Sequence, residues 1–345
     1  LQKHRKVIKK LDLNGRVDSF LELANRLKNL DRKRLASLYV DAACGNPWFT
    51  RANLTLAFDG LLKLLDEKAM KQWLKNYTFD ENKSLNAGVV MAGNIPMVGI
   101  HDMICVLLSG HQLVAKLSSQ DEVLIKFISN ELFLIDPRWK SRITFVERLK
   151  DIDVVIATGS DNTARYFNFY FSKIPHIIRK NRTSIAIING NETAEQLRSL
   201  GTDIFSYFGL GCRNVSKLYV PRGFDLTSLF PHWCCFSHIA DHYKFHNNYQ
   251  YQRTIMLVNQ TPHLDNGFVI LQQNKNLVSP IAMLYYEFYD QLEDLKTELL
   301  QLNDKIQCIV SNEDIPGKIK FGKAQKPDIN DFADNIDTME FLTHL

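Results

Sequence analysis

Residues 86–116 read NAGVVMAGNIPMVGIHDMICVLLSGHQLVAK, and the periodicity of this stretch decides the fold class. Ala87–Met91 is an apolar run of strand length. Gly93-Asn94-Ile95-Pro96 follows as a turn, a helical pattern runs from about Met97 to Ser109, and Gly110 stands where a left-handed helix cap calls for glycine. Gln112–Lys116 then predicts a second strand. A strand, a crossover helix and another strand make the βαβ unit of a parallel sheet.

The pattern continues toward the C-terminus. Ser118 or Ser119 is placed to cap a helix carrying Val123, Leu124, Phe127, Ile128 and Leu132, which Pro137 closes. Asp153–Ala157 predicts a strand ending in Thr158-Gly159-Ser160, Asn162–Phe171 a helix, and Ser184–Ile188 a further strand of a nucleotide-type sheet. After Asn189-Gly190-Asn191 the chain starts over, with a helix to about Phe208, a Gly-rich loop, the strand Lys217–Val220 and helix-strand alternation to Val310. The expected boundary is near 190. Toward the N-terminus, from Leu1 to Lys83, Val17, Phe20, Leu21, Leu23, Leu27 and Leu30, then Leu61, Leu62, Leu64 and Leu65, recur at helical spacing. From Lys326 onward, Asp328, Asp331, Asp334 and Asp337 read as an acidic surface tail.

Composition bounds the function. With 345 residues, 45% hydrophobic and 23% charged, the chain is that of a folded protein of two domains. Lys plus Arg number 42 against 38 Asp plus Glu, and the charges form no runs that would track a phosphate backbone, which argues against nucleic acid as a partner. The apolar region 87–117 is interrupted by Asn94, His101, Asp102 and His111, so no membrane span and a soluble protein are expected. Leu1-Gln2-Lys3-His4-Arg5-Lys6 leads into a charged stretch without a secretory pattern. Six cysteines form no C-x-x-C pair, which fits a reducing, cytosolic setting better than a disulfide scaffold.

Gly209-Leu210-Gly211-Cys212-Arg213 sets a thiol in a glycine-flanked loop between a helix and a strand, where backbone amides can approach a ligand. A thiolate there can attack a carbonyl, with a backbone N–H and a side-chain amide holding the oxyanion. As a residue type alone, Cys212 also reads as a small buried apolar group. His238, Asp241, His242 and His246 have the spacing of one helical face and invite a metal reading, which the interleaved Tyr243 and Phe245 and the lack of a His-Glu-x-x-His signature oppose. Cys234-Cys235 reads as core, since adjacent cysteines bridge only with strain. Tyr285, Tyr286, Phe288 and Tyr289 read as core packing or as an acyl tunnel.

Taken in order, Gly93-Asn94-Ile95-Pro96, Lys116-Leu117-Ser118-Ser119, Ala157-Thr158-Gly159-Ser160, Gly211-Cys212 with Val220-Pro221, and Phe321-Gly322-Lys323-Ala324-Gln325-Lys326-Pro327 before Asp337-Thr338 resemble the aldehyde dehydrogenase superfamily. The resemblance, over about 86–345, is specifically to the fatty acyl-CoA reductase of bacterial bioluminescence type. It implies an α/β, aldehyde dehydrogenase-like fold: a helical N-terminal segment (1–85), a Rossmann-like NADP-binding domain (86–189), a catalytic domain (190–310) and a C-terminal segment returning to the cofactor domain (311–345), with the active-site cleft between the two domains.

By position, Cys212 resembles the family's nucleophile and Asn94 its oxyanion-hole amide. Lys116, Ser118 and Ser119 resemble the site for the adenosine ribose and its phosphate, and Gly159-Ser160 the pyrophosphate turn. Where hydrolytic relatives carry a Glu-Leu-Gly-Gly motif, this chain reads Asn181-Arg182-Thr183-Ser184-Ile185-Ala186-Ile187-Ile188, without the glutamate that would activate water. Glu192, just beyond, reads as a surface residue at a helix start. The implied activity is NADPH-dependent reduction of a long-chain acyl-CoA to the aldehyde through an acyl-cysteine. The alternatives are a non-catalytic acyl-binding subunit of a fatty-acid reductase complex and an aldehyde dehydrogenase working in the oxidative direction. Implied partners are an acyl-CoA or other activated acyl donor, with a homo-oligomer or an acyl-activating subunit. Ser119 stands where NAD-selective relatives place glutamate, so NADPH is expected. Asp121, read as facing water, is the residue that would restore NAD selectivity if it turned inward.

Overall fold

The computed structural model describes residues 11–345; the charged segment before them lies outside the described residues. Two units divide the chain: one runs up to Lys180 and resumes over Asp328–Leu345, and the other is the uninterrupted stretch Asn181–Pro327.

The first unit opens with four helices, α1 (Leu13–Lys28), α2 (Arg32–Gly45), α3 (Arg51–Leu64) and α4 (Glu67–Leu74). Each starts where a short polar side chain accepts a first-turn amide: Asp12 from Gly15, Asp31 from Lys33 and Arg34, Thr50 from Asn53, and Asp66 from Ala69. Their apolar stripes are buried, with Phe20, Leu23 and Leu54 fully so. Then follow β1 (Asn86–Val90), α5 (Ile100–Leu108), β2 (Gln112–Lys116), α6 (Glu122–Ile135), β3 (Ile143–Phe145), β4 (Val154–Thr158), α7 (Asp161–Phe171) and β5 (His176–Arg179). The five strands are parallel in the order β3-β2-β1-β4-β5. Gly110 at φ +91° ends α5 as its sequence position predicts.

The chain end is not a surface tail. Met339 and Leu342 of the C-terminal helix Thr338–Thr343 are buried. Arg179 donates to Asp102 at 2.6 Å, to Thr338 Oγ1 at 2.8 Å and to the carbonyl of Ala333 at 2.9 Å, while Tyr77 donates to Asp337 at 2.7 Å. Of the aspartates that gave this segment its acidic look, Asp337 caps the helix by accepting from Glu340 and Asp331 accepts the Asp328 amide, while Asp328 is exposed.

The second unit contains β6 (Thr183–Ile187), α8 (Ala194–Phe205), β7 (Val215–Pro221), α9 (Phe230–Trp233), α10 (Tyr243–Val258), β8 (Leu264–Asp265), β9 (Ile270–Gln273), β10 (Met283–Tyr289), α11 (Leu292–Gln301), β11 (Ile306–Ser311) and β12 (Lys318–Ile319). They form a seven-stranded sheet, β12-β11-β6-β7-β10-β9-β8, parallel except at β8–β9. Ile185, Ile187, Tyr219, Leu295, Leu299, Ile306 and Ile315 make a core on one face. The strand expected over 184–188 therefore belongs here, paired with β7 and β11, and not to the first sheet. The short strand β5, which the sequence pattern did not single out, takes the edge place beside β4. The division accordingly falls between Lys180 and Asn181, not near 190, and the return falls between Pro327 and Asp328, not at 311.

Candidate functional site

In the first unit, the strand order changes direction at β1, which has β2 on one side and β4 on the other. Ligands of open parallel sheets bind outside the carboxyl ends of the strands at such a point. That edge holds Asn94 in the loop after β1, Lys116, Ser118 and Ser119 at and after the end of β2, and Gly159 and Ser160 after β4. Asn94, Lys116, Ser119 and Ser160 are exposed.

The loops pack closely. A Cβ on Gly93 would stand 2.6 Å from Ser118 Oγ, so only glycine lets the first loop lie on the second. Asn46, buried after α2, donates to the Gly93 carbonyl at 3.0 Å. Ser118 accepts the Gln120 amide on Oγ at 3.3 Å and the Asp121 amide on its carbonyl at 3.0 Å. Neither Ser118 nor Ser119 caps α6. Its N-cap residue is Asp121, whose side chain makes no capping bond and turns inward instead, accepting the Met97 amide at 2.6 Å. Met97 is a non-glycine residue at φ +55°. Asp121 is 4% exposed, its second oxygen has no hydrogen-bond partner, and burial pushes its carboxyl up to about 8 even though the Met97 amide pulls the other way. The expectation that it faces water is thus overturned: the amide of a strained turn draws it in. Sequence reasoning missed its role, because an aspartate at a helix start ordinarily caps that helix.

Ser160 caps α7, its Oγ accepting from Thr163 at 3.3 Å. The Gly159 amide is committed to the sheet, donating to the Arg179 carbonyl at 3.3 Å. The first turn of α7 starts at this point, and the start of a helix suits an anion. A switch point, a close glycine contact, a helix start and an exposed lysine together fit a dinucleotide.

In the second unit, Cys212 sits half-buried before β7. Its carbonyl accepts from Ser184 Oγ of β6 at 3.0 Å, and the Asn214 amide donates to the Gly211 carbonyl at 3.2 Å. Gly209 and Gly211 have φ of +80° and +97°, a conformation that glycine adopts without strain. The helix before them ends at Phe205, earlier than expected, because Tyr207 and Phe208 are also left-handed. Packing repays that strain: both are buried, and the Phe208 ring lies 4.5 Å from that of His242.

Other candidates resolve differently. His242 is the N-cap residue of α10 and Cys234–Asp241 is a 3-10 stretch, so His238, Asp241, His242 and His246 do not share one helical face. Among the described residues no group of three His, Cys, Asp or Glu side chains is placed to hold a metal ion. Cys234 and Cys235, read as core, are exposed on that 3-10 stretch. Glu192 closes the preceding turn, its two oxygens accepting from the amides of Asn189 at 2.9 Å and Gly190 at 3.0 Å. Tyr285 packs in the core from β10, and Tyr286 meets Phe288 edge-on at 5.5 Å.

These two α/β units have the aldehyde dehydrogenase fold. Aldehyde dehydrogenase 21 from Physcomitrella patens, in complex with the reaction product succinate, superposes with a TM-score of 0.66 at 13% identity, covering 97% of this chain and 84% of that one. The aldehyde dehydrogenase of Mycobacterium tuberculosis complexed with NAD+ does so with a TM-score of 0.61 at 13% identity, covering 87% and 74%. The NAD+ complex of the Bacillus cereus enzyme gives 0.61 at 12%, covering 87% and 72%. No sequence among the curated proteins matches. The chain belongs to the acyl-CoA reductase (LuxC) family, whose model matches residues 23–227, a range containing Asn94 and Cys212. Family and fold together define an oxidoreductase of the acyl-CoA reductase and aldehyde dehydrogenase type.

Proposed function

We propose that the protein reduces a long-chain acyl-CoA to the aldehyde, with Cys212 as the nucleophile and NADPH as the reductant. The observation that carries this reading is the environment of Cys212. A half-buried thiol stands on a loop anchored by Ser184 of β6, and the β6 stretch contributes no acid that could deprotonate water. The Cys212 thiolate attacks the thioester carbon, the bond to the coenzyme A sulfur breaks, and coenzyme A leaves as its thiolate. Asn94 is assigned as a side-chain donor to the oxyanion. Glu192, the acid nearest to β6 in sequence, is engaged by two backbone amides, which supports a long-lived acyl-enzyme.

NADPH, when bound, supplies the hydride that reduces the acyl group. Lys116 offers a positive charge and Ser119 a hydroxyl for the 2′-phosphate, and the first turn of α7 after Gly159 and Ser160 receives the pyrophosphate. Asp121 does turn inward, the orientation tied above to NAD selectivity, so the preference rests on Lys116 and Ser119, which are exposed while the Asp121 carboxyl is buried against the Met97 amide.

Intact-protein mass spectrometry after exposure to a long-chain acyl-CoA without NADPH tests the assignment. One acyl adduct is expected on the wild type and on Cys234→Ala and Cys235→Ala, and none on Cys212→Ala, which should also make no aldehyde. An adduct that persists on Cys212→Ala would overturn it.

A further inference from the structure

The hydrogen bonds behind Cys212 close into a ring drawn from three separate parts of the second unit. Asp203, near the end of α8 and fully buried, accepts the amide of Gly322 at 2.6 Å and that of Ala324 at 3.0 Å. The Ala324 carbonyl accepts from Arg213 at 3.4 Å, and Gln325 donates to Asn214 Oδ1 at 3.5 Å, so the segment just latched reaches the two residues that follow Cys212. Asn214 Nδ2 donates to the Ile204 carbonyl at 2.8 Å, which returns the ring to α8 beside Asp203. Gly322, at φ +77°, has little room to shift, since a Cβ there would stand 3.0 Å from Ser199 Cβ of the same helix.

We propose that Asp203 is a positioning residue for the nucleophile loop: it fixes residues 322–325 against α8, and they in turn fix the backbone that presents Cys212. A buried carboxyl is costly unless its acceptor capacity is used. Here it is spent on two amides of a distant segment, not on its own helix. The inference rests on Cys212 being the nucleophile, and its test separates the two claims.

Iodoacetamide labelling of the full chain, read by peptide mass spectrometry as the ratio of Cys212 to Cys234 alkylation rates, reports the loop without requiring the acyl donor. Leu299→Ala, a cavity in the core of the same unit, serves as the control for destabilisation alone. Asp203→Ala is expected to move the ratio by about tenfold or more, as misplacement of a reacting group does, with Asp203→Asn, which keeps one acceptor, in between. Leu299→Ala should leave it within about twofold of wild type. Equal ratios in Asp203→Ala and Leu299→Ala would overturn the proposal. If Asp203→Ala does not fold, Arg213→Met opens the ring from its other side and the same comparison decides. Absence of an acyl adduct on wild-type Cys212 would instead overturn the nucleophile assignment while leaving the labelling result to stand.

Discussion

At the scale of single residues, Asp121 carries the clearest physical consequence. Burial raises its carboxyl from an ordinary 3.8 to about 8, so the folded chain keeps a proton there that the unfolded chain releases near pH 4. Its stabilising contribution is therefore complete below pH 4 and lost as pH rises toward 8. Asp121→Asn keeps a carbonyl to accept the Met97 amide and removes the titration. The gain in stability should be on the order of a few kcal/mol at pH 9 and small at pH 5. Parallel Tm curves for wild type and variant between those values would contradict this. Cofactor choice belongs at the same scale: NADPH should exceed NADH in kcat/KM, and Ser119→Glu should reverse the order by placing a carboxylate where a 2′-phosphate is expected. A wild-type preference for NADH would show that Lys116 and Ser119 have another role. Legibility differed sharply among these residues. Cys212 stands out in the sequence because glycines flank it. Asp121 and Asp203 do not, because their meaning lies in amides 24 and about 120 residues away.

Among the elements, β1, α5, β2 and α7 were readable because each is a local pattern with a start or stop signal beside it, such as Gly110 after α5 or Ser160 before α7. The strand over 184–188 was also readable as a strand, but its sheet was not. Only Lys180, Asn181 and Arg182 separate β5 from β6, and such a short link gives no hint that the chain changes sheets there. The C-terminal segment misleads for a related reason: Asp337 looks solvated until Tyr77 and the Glu340 amide that it serves are known. The buried Arg179–Asp102 pair, with side chains 4% and 11% exposed, ties α5, β5 and this segment together. Arg179→Leu would leave Asp102 without its counter-charge and should cost about 3–5 kcal/mol, whereas removing both charges in Arg179→Leu with Asp102→Leu should recover much of that. Thermal or urea unfolding of the two variants measures the difference. A single variant as stable as wild type would mean that the pair contributes nothing.

For the molecule as a whole, the chain is threaded so that one unit is interrupted by the other: Asn181–Pro327 lies between the two parts of the unit that contains β1. Cooperative opening follows packing and not sequence, so hydrogen exchange should group segments by unit. Thr338–Thr343, buried through Met339 and Leu342 and held by Arg179, should share the protection of α5 and β5, although well over a hundred residues separate them from it in sequence. Lys318–Ile319, much closer to that helix in sequence, pairs with β11 and should exchange with the other sheet. Arg179→Leu sharpens the test, because it loosens one unit only. Exchange should accelerate in α5, β5 and the C-terminal helix and stay unchanged in β6, β7 and β11. Acceleration that spread equally into β6, β7 and β11 would mean that the chain opens as one cooperative body and that the division at Lys180 and Pro327 has no energetic counterpart.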